Sequence, residues 1–238
     1  MRSIENLLFF ILPILSIVIF IICVLLGALT YDGGNSLELN APGYSFSNNY
    51  LSDLGRIKSI SGMENSIPYY CFNGSLIILS AIFSVFFLYL PCLYDESHRV
   101  QSISRIGSCF GFLAGICFAG VALTPTDLFF TSHKFFANWL YRLLCLSMFF
   151  YSFVYILMEK NNILFSFIFS LIGLVVAFKI ILSDFGLANL FSEPHTIRVL
   201  AQKIASIALI IGVPMMTIYN RFRIFNGEVI LYPLALKK

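Results

Sequence analysis

Apolar residues in this chain gather in long runs, each closed by a short polar stretch. Residues 7–29 (LLFFILPILSIVIFIICVLLGAL) carry no charge, and further runs follow at 70–91, 105–124, 135–158, 162–183 and 203–219. Each reaches the roughly 17–25 residues that a tilted helix needs to cross a bilayer. The pattern predicts an all-α fold: one membrane domain over 1–238, a bundle of six transmembrane helices. The first run is longer than the apolar region of about 7–15 residues in a secretory signal, so it is read as a retained helix.

Composition sharpens the class. Hydrophobic residues make up 59% of the 238, charged residues only 11%, and the mean hydropathy is +0.89. A soluble domain carries about 25% charged residues, so most of this surface must face lipid. The formal net charge is only +3, and no nucleic-acid partner is expected. Lys and Arg near the helix ends set the orientation. With a cytoplasmic N-terminus, the inner side holds Arg2, Arg99, Arg105, Lys160, Arg221, Arg223, Lys237 and Lys238, against Arg56, Lys58, Lys134, Arg198 and Lys203 outside. Both termini are therefore expected in the cytoplasm, with the cell membrane as the location.

On that topology the long loops all lie outside: 30–69, 125–134 and 184–202. Loops beyond about 15 residues are usually functional or disordered. The first contains Tyr44, Phe46, Tyr50, Leu51, Leu54, Ile57, Ile60, Met63 and Ile67, enough apolar material to pack on the helix ends. Within it, YSFSNNYLSDLGR reads as a short helical turn over NYLSDL. Asn48 or Ser47 would cap it, and Gly55 would end it in a left-handed conformation. Asp53 is then either a cap or a carboxylate lowered onto something polar beneath the loop.

Polar stripes at the outer helix ends supply such a partner. Lys134, Asn138 and Arg142 recur at i, i+4 and i+8, a stripe of roughly 12 Å down one helix face. His195, Arg198, Gln202 and Ser206 recur similarly if the last helix begins near Pro194, which suits a first helical position. Lys179, Ser183 and Asp184 end the fifth helix, and Thr124, Thr126 and Asp127 the third. Such stripes are expected to face one another rather than lipid. An unpaired guanidinium at Arg142 would cost several kcal/mol, so Asp53, Asp127 or Asp184 should pair with it unless it holds a ligand anion. Lys134 and Lys179 have the alternative of snorkelling to the headgroups.

Metal chemistry is poorly supported. Catalytic zinc typically needs three protein ligands, and the chain has neither HxxxH nor HExxH. Cys23, Cys71, Cys92, Cys109, Cys117 and Cys145 are dispersed without a CxxC and read as small apolar residues. Gly107, Gly111 and Gly115 form a small-residue packing ridge. No P-loop or dinucleotide fingerprint occurs, and neither a cofactor nor a metal is expected.

NNYLSDLGR resembles the N-x-x-(I/L)-S-(D/E)-L-G element of the prokaryotic six-span proteins called domain-of-unknown-function 998. GVALTPTDLFFTSHKFFA is similar to that family's G-x-x-P-x-D…H…A element, carried by Gly120, Pro125, Asp127, His133 and Ala137. That family is distantly similar to the eukaryotic six-span group containing FGF-receptor-activating protein, damage-regulated autophagy modulator and a GPI-lipid remodelling factor. The resemblance implies six helices, a motif loop outside the cytoplasm, and Ser52, Asp53, Asp127 and His133 as a joint site. It brings no established reaction. EPHTIRVLAQKI departs from the glycine-and-arginine opening expected at the sixth helix.

Two functions compete. In the first, an outer pocket lidded by the first loop binds a lipid headgroup or other anionic amphiphile without turnover. Its candidate ligand-binding residues are Ser52, Lys134, Asn138, Arg142, Asp184, His195, Arg198 and Gln202. In the second, Asp53, Asp127 and His133 perform acid–base catalysis on a membrane-embedded substrate, as in a hydrolase or transferase. The excess of basic residues and the lack of a nucleophile–base pair favour the first. A small transporter ranks third, because no unwound-helix signature is present.

Overall fold

The computed structural model describes residues 2–158 and 162–226. Among these described residues, six helices are long and apolar enough to cross a membrane: α1 Ile4–Leu29, α2 Ser66–Leu93, α3 His98–Leu123, α4 Phe130–Leu157, α5 Ile163–Asp184 and α6 Pro194–Phe225. The chain is thus read as an integral membrane protein. The Lys160 and Lys237–Lys238 charges used for orientation lie outside the described residues.

Most helices run beyond their apolar windows. α2 begins at Ser66 rather than 70, α3 at His98 rather than 105, α4 at Phe130 rather than 135, and α6 spans Pro194–Phe225 rather than 203–219. The added turns are polar, and local contacts satisfy them. The Ser97 side chain accepts from the Val100 amide at the start of α3, as an N-cap should. Pro194 opens α6. In α1 the turn over Leu7–Ile11 is π-helical and ends two residues before Pro13, whose missing N–H and bulky ring disturb the i−4 ladder.

Neighbours in sequence are neighbours in space. Each helix packs on the next, and α6 closes the ring lightly against α1. Glycines allow the tightest approaches: a Cβ on Gly111 would meet the Phe87 ring at 2.3 Å, and one on Gly115 the Ser84 hydroxyl at 2.4 Å. Buried aromatics such as Phe83, Phe86, Phe87, Tyr151, Tyr155 and Phe169 fill the core. At the end carrying the termini, Tyr94 donates to Asn220 Oδ1 at 2.7 Å. There Arg223, 1% exposed, donates to the Leu93 carbonyl and pairs with Glu96. The bundle is therefore locked at one end, and the first loop covers the other.

Candidate functional site

The first loop is held down as a lid by side chains of α2 and α6 and by Asp127, just past α3. Its turn is a 3-10 segment, Leu51–Gly55, preceded by extended Tyr50. The capping expected from Asn48 or Ser47 is supplied instead by Asp53, whose Oδ2 accepts from the Tyr50 amide at 2.8 Å and from Asn49 Nδ2 at 3.2 Å. Nor is Gly55 left-handed, since the positive-φ glycines are Gly33, Gly34, Gly43, Gly62 and Gly186. Gly55 is needed for space: a Cβ there would meet Asn73 Oδ1 and the Phe72 ring at 2.8 Å. Asn73 Nδ2 donates to the Gly55 carbonyl at 3.0 Å.

Polar side chains at the helix ends anchor the rest of the lid. Asp127, just past α3, accepts from the Ile57 and Lys58 amides, each at 3.0 Å. From α6, Gln202 Oε1 accepts from the Leu51 amide at 3.1 Å. Lys203, 2% exposed, donates to the Phe46 carbonyl and to the Asn49 carbonyl at 2.5 Å. Its ammonium also lies 5.0 Å from the Tyr44 ring and 4.6 Å from the Phe46 ring, within cation–π range. His195 Nε2 donates to the Asn48 carbonyl at 2.8 Å, and its ring stands edge-on to Tyr50. Tyr31 OH accepts from the Ile60 amide at 3.0 Å. Burial pushes the Tyr31 phenol up to about 12, so it stays neutral. Burial also raises the Asp53 carboxyl above its ordinary value, against the opposing pull of its Asn49 and Tyr50 hydrogen bonds.

Beneath Leu51 and Ser52 lies a chamber of about 90 Å³ between α1, α2, α3, α4 and α6. Apolar side chains such as Phe20, Leu79, Phe118 and Leu144 make most of its wall, and Ser52, His133, Tyr141, Gln202 and Ser206 are its polar groups. No charged side chain lines it. Tyr141 OH lies 2.8 Å from Ser206 Oγ, which reaches the Gln202 carbonyl at 2.9 Å. That chain satisfies itself, with Tyr141 donating to Ser206 and Ser206 to the carbonyl.

The two predicted stripes part company here. His195, Gln202 and Ser206 turn toward the lid and chamber, while Arg198 donates to Asn189 Oδ1 on the neighbouring loop. Lys134, Asn138 and Arg142 lie with Thr131, Phe135 and Trp139 along an outer groove of α4, whereas His133, Ala137, Leu140, Tyr141 and Leu144 turn to the chamber. At 100° per residue these are different faces of one helix, so the α4 stripe does not meet the chamber. Among the possible carboxylates, Arg142 takes Asp184, at 2.8 Å. Lys179 is buried over the Tyr141 ring at 4.3 Å rather than snorkelling.

Of the four residues joined by the family resemblance, Ser52 and His133 share the chamber wall. Asp53 and Asp127 instead bind lid backbone amides. Among the described residues no group of three or more His, Cys, Asp or Glu is arranged to hold a metal. Sequence reasoning missed Tyr141, which shares a helix face with His133, and Lys203, which sits beside Gln202 at the head of an apolar run. In the comparisons, the chain matches no protein-family model, no curated protein and no solved structure.

Proposed function

We propose that this protein binds a membrane amphiphile in the chamber beneath the first loop and does not turn it over. One observation carries the reading: the chamber is walled by apolar side chains, and Asp53 and Asp127, the carboxylates a catalytic reading would need, are bonded to lid backbone. An acid–base pair needs groups free to exchange protons with a substrate. Asp53 and Asp127 are taken up in positioning the lid, which supports binding over hydrolysis or transfer. The cations named from the sequence lie outside the chamber, so the reading rests on shape and burial. Lys134 and Arg142, beside the exposed Trp139, suit contact with anionic headgroups at the bilayer interface, where Trp is enriched. The resemblance to six-span proteins and the bias of Lys and Arg support a lid outside the cytoplasm, both termini within it, and the cell membrane as location.

Lipid analysis after purification in mild detergent tests the proposal. Ala137→Phe places a ring in the chamber from α4. Wild type should carry a tightly bound amphiphile, and the variant should lose at least ~90% of it while keeping its helical circular dichroism. Equal retention by folded variant and wild type, or no retained amphiphile in either, would overturn the chamber as the binding site.

A further inference from the structure

Among the chamber-lining side chains, His133 carries the fully buried polar atom that has no hydrogen-bond partner. It is 5% exposed and forms part of the cavity wall from the first turn of α4. Its Nδ1 lies 2.7 Å from the Thr124 carbonyl oxygen. A carbonyl only accepts, so Nδ1 carries the hydrogen, and in a neutral imidazole Nε2 is then a bare lone pair. Nε2 is buried and has no hydrogen-bond partner. The Val121 carbonyl also faces the ring but does not complete a bond to that nitrogen. A buried acceptor left unsatisfied is costly; Tyr141 and Ser206 donate elsewhere, and neither the Ser52 hydroxyl nor the Gln202 amide bonds to Nε2.

From this orphan acceptor in an uncharged chamber we infer that the occupant is a neutral amphiphile whose polar end is a hydroxyl, donated to His133 Nε2. The inference rests on the chamber being the binding site and names the ligand class. Charge complementarity is met: with no cation or carboxylate in the wall, an anionic or cationic end group would be desolvated without compensation. An ester or ether brings only acceptors and leaves Nε2 unpaired. The size fits as well. The chamber, at about 90 Å³, is smaller than the ~150 Å³ engineered cavity that holds benzene, so it admits one slender end of a molecule rather than a whole lipid. Such an end is a hydroxyl-bearing chain terminus.

Three ten-carbon probes separate the possibilities: 1-decanol, decyl methyl ether and decanoate. Their affinities for the full protein in mild detergent would be measured by competition against a tritiated photoreactive decanol. Decanol should bind about tenfold tighter than the ether, the size of one hydrogen bond to a buried group, and tighter than decanoate. In His133→Leu the preference of alcohol over ether should fall to about one while the ether's own affinity persists. Because that variant loses the Thr124 contact and risks misfolding, a second measurement uses wild type. The ¹⁵N resonance of His133 Nε2, assigned by its absence in His133→Gln, should move upfield on adding decanol and stay in place on adding the ether. Equal binding of alcohol and ether, or a stronger decanoate, sinks the hydroxyl inference and leaves the chamber reading intact. If no probe binds, or if all bind equally well to Ala137→Phe, the chamber reading fails first and takes the inference with it.

Discussion

Neutralising Asp184 should cost more stability than neutralising Arg142, although the two form one ion pair. Arg142 Nη2 lies 2.8 Å from Asp184 Oδ2, with 38% of the arginine side chain exposed against 9% of the aspartate's. Two unit charges about 4 Å apart attract by ~1 kcal/mol in water and ~4 kcal/mol at an effective dielectric near 20. The Arg142 side chain is partly exposed and the Asp184 carboxylate it leaves keeps the nearby Lys179 charge, which puts the loss on Arg142→Gln near the lower figure, about 1–2 kcal/mol. Asp184 has a second dependent. Lys179 is 5% exposed, feels the Asp184 charge, and otherwise rests on the Tyr141 ring at 4.3 Å. Asp184→Asn leaves that buried ammonium with only an aromatic face, and removing the partner of a buried charge costs roughly 3–5 kcal/mol. In a chain of this length each kcal/mol moves Tm by about 2–4 °C. The expected drops are then about 2–8 °C for Arg142→Gln and about 6–20 °C for Asp184→Asn. Thermal unfolding in detergent, followed with a thiol-reactive dye that reports the buried Cys117 and Cys145, measures both. Adding Lys179→Met to Asp184→Asn should recover most of the larger loss. An Arg142→Gln drop as large as that of Asp184→Asn, or no recovery by the double variant, would refute the two-cation account.

Three further outcomes follow from the lid. Lys203→Met removes an ammonium bonded to two lid carbonyls; it should cost about 2–4 kcal/mol and speed maleimide labelling of a cysteine placed at Ser52. Burial raises the Asp53 pKa, so the folded state favours the protonated carboxyl; that stabilisation is complete below the unfolded value of about 3.9 and is lost as pH rises through the raised value. Wild type should therefore lose stability relative to Asp53→Asn over that window, and a pH-independent difference in Tm would contradict the burial effect. In intact cells lacking Cys71 and Cys92, a membrane-impermeant reagent should label a cysteine at Glu38 and miss one at Asp95, and the reverse pattern would place the lid in the cytoplasm.

The six helices were legible because a bilayer demands long apolar runs and tolerates little else. Their ends were not. The added turns at 66–69, 98–104 and 194–202 are polar enough to read as loop, and they are helical because Ser97 caps one and Asn48 meets His195 and Thr196 on another. The i, i+4 spacing of Lys134, Asn138 and Arg142 placed them on one face of α4 without saying which way that face turned. Rotation of a helix is set by what packs against it, here the neighbours on α3 and α5 that bury Tyr151 and Leu144. Asp53 was readable as a cap, but the donor it caps, Tyr50, lies two residues beyond Asn48 and three beyond Ser47, because the turn is a tight 3-10 segment. His133 stood out in the sequence. What distinguishes it from His195 is a through-space matter: Thr124 takes one ring nitrogen and nothing takes the other.

That difference explains why the lid end of this protein looks catalytic in sequence and less so in three dimensions. A long loop laid over a membrane bundle brings many backbone amides and carbonyls that must be satisfied where water is scarce. Ionisable side chains are the strongest partners for them. Asp127 supplies acceptors for two amides, Asp53 for another, Lys203 donors for two carbonyls and His195 a donor for a third. A sequence that gathers carboxylates, histidines and lysines at its lid-side helix ends therefore has a backbone reason to do so before any substrate is invoked. Residues used in this way are poor acids and bases, since a proton moved to or from them breaks the lid's own bonds. What the lid leaves over is a small apolar space and a buried imidazole nitrogen without a partner, and the proposed binding of a neutral polar group rests on those two features.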